Sequence, residues 1–361
     1  MPRSYSDLSA LVSNKLADSA VSEFAAADVN FQLEESLKEL SEHFPHTIEA
    51  VYKIESRYGI PSSTSASALI DSTKGQFLAA DSTDEKVVYN ATRKTWAVIT
   101  GFTSTAQVTL SDDIIKATTD SYYIFNKMSR NEKQIYVGNI IEVSEPVRAE
   151  YPANYWPRNW RNVEWQQGNR VLELQIGFRP DDSDSDTANY SRRTDVVVEF
   201  RKPHILSQLT DWSATLTATA DVGATSLACT ALQSAGTIEE GEEFVLPGHR
   251  STYIIVADTT ISSNTATISF QPPLETAVGS TATVVTFTKS TLTPQLEDIV
   301  SEHAAARLAI NHGPKYIKTI SIGGQSTWRN YTEWGQAKLA DVMRKINRES
   351  TWDTYHSLPR G

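Results

Sequence analysis

At 361 residues the chain is long for one ordinary domain and is expected to divide into two or three. Its 40% hydrophobic and 21% charged content fits a soluble globular protein, and no apolar run reaches the roughly 18 residues of a membrane-crossing helix. A single cysteine, Cys229, excludes an intrachain disulfide and a cysteine-built zinc site, and the net charge of −11 argues against general nucleic-acid binding.

The amino-terminal stretch Met1-Pro-Arg-Ser-Tyr-Ser lacks the apolar core of a signal peptide. Residues 6–17 place Leu8, Leu11, Val12 and Leu16 on one helical face, with Ser6 as the expected cap. A second helix is expected from Asp28 through Phe31, Leu37 and Leu40 to His43, where Pro45 stops it. Each helix carries one narrow apolar stripe, so both need tertiary partners. From Thr47 the period shortens: Ile48, Ala50, Tyr52 and Ile54 alternate with polar or outward positions, and a strand is preferred. Strand-like runs follow at 86–90, 95–100, 107–110, 122–126, 134–143, 170–178 and 195–201, separated by turn signals, as in a β-sandwich or barrel.

A second strand-rich segment spans 209–289. Its runs Glu243-Phe-Val-Leu, Thr252-Tyr-Ile-Ile-Val-Ala and Ala266-Thr-Ile-Ser-Phe repeat the order and spacing of Lys86-Val-Val-Tyr-Asn, Thr95-Trp-Ala-Val-Ile-Thr and Ala106-Gln-Val-Thr-Leu. Either a duplicated unit or two generic meanders gives that layout. Cys229, between Ala228 and Thr230, reads as an inert core thiol. The closing helices are well marked. Thr293 caps a helix with Pro294 in its first position, Leu296, Ile299, Val300, Ala304 and Leu308 form its stripe, and Gly313-Pro314 ends it. Gly323-Gly324 reads as a flexible turn. Asn330 three residues before Glu333 marks the start of the last helix, with Leu339, Val342, Met343 and Ile346 on its face. Residues 350–361 read as an extended tail. From Lys315 onward eight basic residues stand against four acidic ones, so a basic end follows an acidic body. That asymmetry favours head-to-tail contact between copies, although Arg344, Lys345 and Arg348 also suit a helix C-terminus.

Neither helical end is convincing alone. The expected α+β architecture is therefore a small antiparallel helical bundle built from both ends, 1–46 plus 290–349. Two β-sandwich or barrel domains, 47–206 and 207–289, are inserted into it, and a tail covers 350–361. Chemistry-bearing motifs are sparse. Asp181 to Asp186 matches the first positions of a calcium loop, but Thr187 stands where glycine is needed and Arg193 where glutamate is needed. The seven histidines form no metal-protease pair, and no nucleophile elbow or phosphate loop appears. No cofactor and no enzymatic activity are expected. The segment Trp156-Pro-Arg-Asn-Trp160-Arg-Asn-Val-Glu-Trp165 is dense in aromatics and reads either as hairpin core or as a contact surface for glycan or protein.

Several segments resemble virion proteins of tailed bacteriophages. They include Tyr52-Lys-Ile-Glu-Ser-Arg57, Leu69-Ile-Asp-Ser-Thr-Lys-Gly-Gln-Phe77, Thr95-Trp-Ala-Val98, Val108-Thr-Leu-Ser-Asp-Asp-Ile114, Ala266-Thr-Ile-Ser-Phe-Gln-Pro-Pro-Leu274 and Tyr331-Thr-Glu-Trp-Gly-Gln-Ala-Lys-Leu339. The helical frame is similar to head-to-tail connector (adaptor) proteins, and the large β insertions depart from the short members of that group. The resemblance implies a non-enzymatic neck subunit, a ring expected to be twelvefold. It would join the portal protein to a tail or tail-completion protein, pass genomic DNA without sequence-specific binding and involve no membrane. It also implies a carboxy-terminal segment that reaches the portal or a neighbour, here Arg348, Trp352, Tyr355 and Arg360. The rival expectation is a β-domain module gripping host glycans through Trp156, Trp160 and Trp165.

Overall fold

The computed structural model describes residues 3–18, 24–55, 57–153, 156–166, 170–177, 195–279, 283–312 and 327–356. Helix α1 (Tyr5–Lys15) starts one residue before the expected cap. Ser4 rather than Ser6 caps it, because Asp7 lies three residues on and closes a reciprocal capping box: its amide donates to the Ser4 hydroxyl at 3.2 Å and its carboxylate accepts from the Ser4 amide at 3.1 Å. Helix α2 (Ala26–His43) begins before Asp28, which sits in the first turn where its charge favours the helix dipole.

Strand β1 (His46–Lys53) confirms the change of period at Thr47, with Ile48, Ala50 and Tyr52 buried. Short strands β2 (Tyr58–Gly59), β3 (Ser63–Ser65) and β4 (Ala68–Ile70) lead to the helical turn α3 (Ala80–Thr83). They are followed by β5 (Val87–Asn90), β6 (Thr95–Ser104), β7 (Gln107–Leu110) and β8 (Tyr122–Phe125). These strands form an open sheet of order β2-β8-β5-β6-β7-β4-β3. Two irregularities in β6, after Ile99 and after Phe102, bend it, and it pairs with β5 through its first half and β7 through its second. Leu69, Phe77, Val88, Ile99, Val108 and Ile124 fill the inner face.

The expected strand over 134–143 is divided in the structure. Strand β9 (Gln134–Tyr136) stops before Gly138, whose φ of +69° is left-handed backbone, and the chain continues as the turn α4 (Ile140–Val143). Strand β10 (Glu145–Glu150), which had not been anticipated, precedes β11 (Trp160–Arg161), β12 (Val163–Gln166), β13 (Val171–Leu174) and β14 (Asp195–Lys202). A four-stranded sheet β1-β14-β10-β11 and a three-stranded sheet β12-β13-β9 share one core, including Tyr52, Ile135, Leu172, Val198 and Phe200. Strand β14 pairs antiparallel with β1 along its whole length, His46 opposite Lys202 and Lys53 opposite Asp195.

The second β segment comprises β15 (Ser213–Leu216), β16 (Ser226–Thr230), β17 (Ala235–Ile238), β18 (Glu243–Val245), β19 (Tyr253–Ile255), β20 (Thr259–Ser262), β21 (Ala266–Gln271) and β22 (Val284–Phe287). Six of them close a barrel of order β15-β16-β21-β19-β18-β22, and β17 and β20 pair separately. Phe244 stacks on Tyr253 with centroids 5.2 Å apart and meets Phe270 edge-on at 5.2 Å, filling the interior. Cys229 is buried on β16, and burial pushes its thiol up to about 12, in keeping with an inert thiol.

Helix α5 (Pro294–His312) starts as expected, the Leu296 amide donating to the Thr293 hydroxyl at 3.4 Å, and its expected Gly313-Pro314 stop lies outside the described residues. The turn expected at Gly323-Gly324 lies outside the described residues. Helix α6 (Thr327–His356) overturns two expectations. Asn330 lies inside it rather than capping it, and 350–356 continue the helix instead of forming an extended tail. Leu8 and Val12 of α1, Leu33 and Leu40 of α2, Val300 and Leu308 of α5, and Val342 and Ile346 of α6 meet in one buried cluster. A Cβ at Gly335 would stand 2.7 Å from the Ala306 carbonyl, so glycine there sets the closeness of α6 to α5. The chain is of mixed α+β class with a six-stranded barrel, and no helix among the described residues is long and apolar enough to cross a membrane.

Candidate functional site

The helices, the first β region and the barrel meet at a strap, residues 203–208, that leads from β14 toward β15. On one side it is tied to the helical layer: the His204 amide donates to the Ser41 hydroxyl of α2 at 2.9 Å. Beside it runs the chain returning from the barrel. The Ser207 amide donates to the Lys289 carbonyl at 2.9 Å, and the His204 ring nitrogen Nδ1 sits 2.9 Å from the Thr291 hydroxyl. On the other side lies a buried charged group. Lys202 Nζ is 2.8 Å from Glu243 Oε1 and also donates to the Gly241 carbonyl, and His46 Nε2 is 3.2 Å from the same carboxylate oxygen. Burial alone would raise Glu243, but His46 and Lys202 hold it below the usual range. Burial, reinforced by His46, lowers His204 to about 4. Glu242 is 3% exposed, and the Ser207 side chain and Gln208 backbone of the strap draw near its carboxylate without completing a well-formed hydrogen bond. Burial outweighs the pull of Ser207 and Gln208 and raises it to about 7.

A second contact binds the barrel to the four-stranded sheet. Arg250 Nη2 reaches Glu49 Oε2 at 3.0 Å and Glu150 Oε2 at 3.1 Å, while Arg158 reaches Glu49 and Glu150, each at 2.8 Å. Backbone joins them as well, the Thr252 amide donating to the Glu49 carbonyl at 3.1 Å. Ile254 of the barrel completes the core beneath β1.

The tryptophan cluster read from the sequence is divided among different surroundings. Trp156 is 91% exposed. Trp160 lies under two guanidinium groups, Arg148 at 3.9 Å and Arg158 at 4.9 Å from its centroid. Trp165 packs half-buried against the core of the three-stranded sheet. At the other end of the chain, Arg348 is exposed on α6, Trp352 and Tyr355 lie in that helix's last turns, and Arg360 lies outside the described residues, as does the Asp181–Asp186 loop. The neighbouring basic residues are engaged locally: Lys345 meets Glu302 of α5 at 2.6 Å, and Arg344 meets Asp341 at 3.3 Å.

One aromatic surface was not anticipated. Tyr58, Tyr123, Tyr89 and Trp96 lie in a row across β2, β8, β5 and β6, on the face opposite Val88, Ala97 and Ile124. Tyr89 and Trp96 stack at 4.1 Å, Tyr58 and Tyr123 are 6.1 Å apart, and the Lys74 ammonium sits 3.7 Å over the Tyr58 ring. The signal was the parity of these residues within their strands, each one position out of step with the core set. Among the described residues no group of three or more His, Cys, Asp or Glu side chains is arranged to hold a metal ion. No family model, no curated protein and no solved structure matches the chain.

Proposed function

We propose that the protein is a structural subunit of a phage neck, a ring-forming adaptor that joins portal to tail and gives passage to DNA. In this reading the helices of the two chain ends form a small antiparallel bundle that carries the ring, and the β regions are outgrowths from it. The observation that supports it most is the single buried cluster shared by α1, α2, α5 and α6, with both β regions leaving and returning at its margin. Cross-links between sequence-distant ends strengthen it: the Arg3 amide donates to Glu297 at 2.8 Å, and His303 lies 2.9 Å from the Ser36 hydroxyl. The end of α6, carrying Arg348, Trp352 and Tyr355, would meet the portal protein or a neighbouring copy, and heterologous contacts of that kind close into rings when the rotation permits. The partners proposed are portal, a tail-completion protein, and further copies of this chain in an expected ring of twelve. Truncation after Arg348 tests this. The shortened protein should fold and fail to join portal rings seen by negative-stain imaging; assembly equal to that of the full chain would refute the role given to that segment.

A second reading is favoured by the row Tyr58, Tyr123, Tyr89 and Trp96, exposed at its two ends and half-buried between them, which offers ring faces to a host glycan. Glycan-array binding that is lost in Trp96→Ala and retained in Trp160→Ala would support it over the neck role.

A further inference from the structure

The group at the strap has a property that neither reading uses. Glu242 is a carboxyl sealed from water beside strap residues Ser207 and Gln208, with no well-formed hydrogen bond to either. Burying an unpaired carboxylate is costly, whereas a protonated carboxyl is far cheaper to bury. The charged and titratable groups around it come from every neighbouring element. Lys202 ends β14, Glu243 opens β18, Glu239 belongs to the same loop as Glu242, His46 opens β1, and His204 lies in the strap itself. The buried cation of this group, Lys202, is already committed to Glu243 and the Gly241 carbonyl. The exposed Glu239 adds a further negative charge, and it too is raised by burial and by Asp258 and Glu34 nearby. Ionising Glu242 thus places a second carboxylate on a site whose cation is spoken for.

We propose that Glu242 and the strap over it form a proton-operated latch between the helical layer and the barrel, seated when the carboxyl is protonated and loosened when it ionises. The loosened state gives the new charge access to water. It does so by freeing the strap contacts of His204 to Ser41 and of Ser207 to Lys289. The helical cluster and the barrel interior keep their own cores. The proposal stands on the junction geometry and is independent of what the whole molecule assembles with.

Hydrogen–deuterium exchange on the full chain, corrected for the intrinsic pH dependence of exchange, tests it. Strap amides should lose roughly tenfold of their protection between pH 6 and 8, the response of a glutamate lifted to about 7, while amides of β16 and β21 stay protected. In Glu242→Gln the strap should be protected equally at both pH values. His46→Gln, which removes the imidazole beside Glu243, should retain the wild-type response. Glu242→Leu serves as a second uncharged replacement if the amide is poorly tolerated. Unchanged strap protection in the wild-type chain, or the same pH response in an uncharged Glu242 variant, overturns the latch.

Discussion

The open seven-stranded sheet and the closed barrel begin from the same local plan. In each, three runs pair side by side in chain order, β5-β6-β7 in one and β18-β19-β21 in the other, where β20 intervenes in the chain but pairs with β17 instead. Their means of support differ. The barrel rejoins itself and packs an apolar interior around Phe244, Tyr253, Phe270 and Phe287, with no free edge among its six strands. The sheet ends in β2 and β3, strands of two and three residues, and short edges of this kind resist pairing with other chains. Its base is fixed by a buried ionic group in place of closure: Arg57 meets Glu55 at 2.9 Å and Asp81 at 2.7 Å, and Lys86 meets Glu55 at 2.6 Å. A closed sheet can be held by packing alone, whereas an open one in this chain is anchored by charge, which makes it sensitive to single substitutions and to acid.

The largest separation should come from Arg57→Ala. It leaves Glu55 and Asp81 buried with only Lys86 for company, and a loss of about 3–5 kcal/mol is expected in urea unfolding. Ile268→Val inside the barrel should cost only about 0.5–1.5 kcal/mol, since it removes one methylene from a packed interior. Acid should divide the two regions next. Burial tends to raise Glu55, but Arg57 and Lys86 prevail and hold it near 2, so its contribution is complete above the ordinary glutamate range and fades as pH falls toward 2. That contribution is on the order of 3 kcal/mol, and exchange protection of β5 and β8 should fall in that window while β16 and β21 hold theirs. Equal loss in both regions would end the distinction. The smallest effect is expected at the outer face: Trp96→Ala removes a half-exposed ring stacked on Tyr89, and thermal unfolding should report about 1 kcal/mol or less.

Much of this was legible in residue order, because burial imposes periods that survive in sequence. The alternation Ile48, Ala50, Tyr52 gave β1, and the runs at 107–110 and 195–201 lie on β7 and β14 almost residue for residue. Missed features depended on partners distant in the chain. Gly138 looked like part of a strand until its backbone turned left-handed beside Gln271. The pairing of Arg57 with Asp81 and of Arg250 with Glu49 crosses intervals over which no periodic signal extends. Trp165 and Trp160 are neighbours in sequence, yet they belong to different sheets, and proximity along the chain overstated their kinship. The helical continuation through 350–356 was hidden by residues of weak apolar pattern.

The full-length pairing of β1 with β14 has a consequence for how such a molecule is put together. Because the polypeptide departs and comes back through adjacent strands, the distance between its two attachment points is set locally, whatever lies in between. Lineages can therefore enlarge, trim or exchange the intervening 140 or so residues without altering the spacing demanded by the helices.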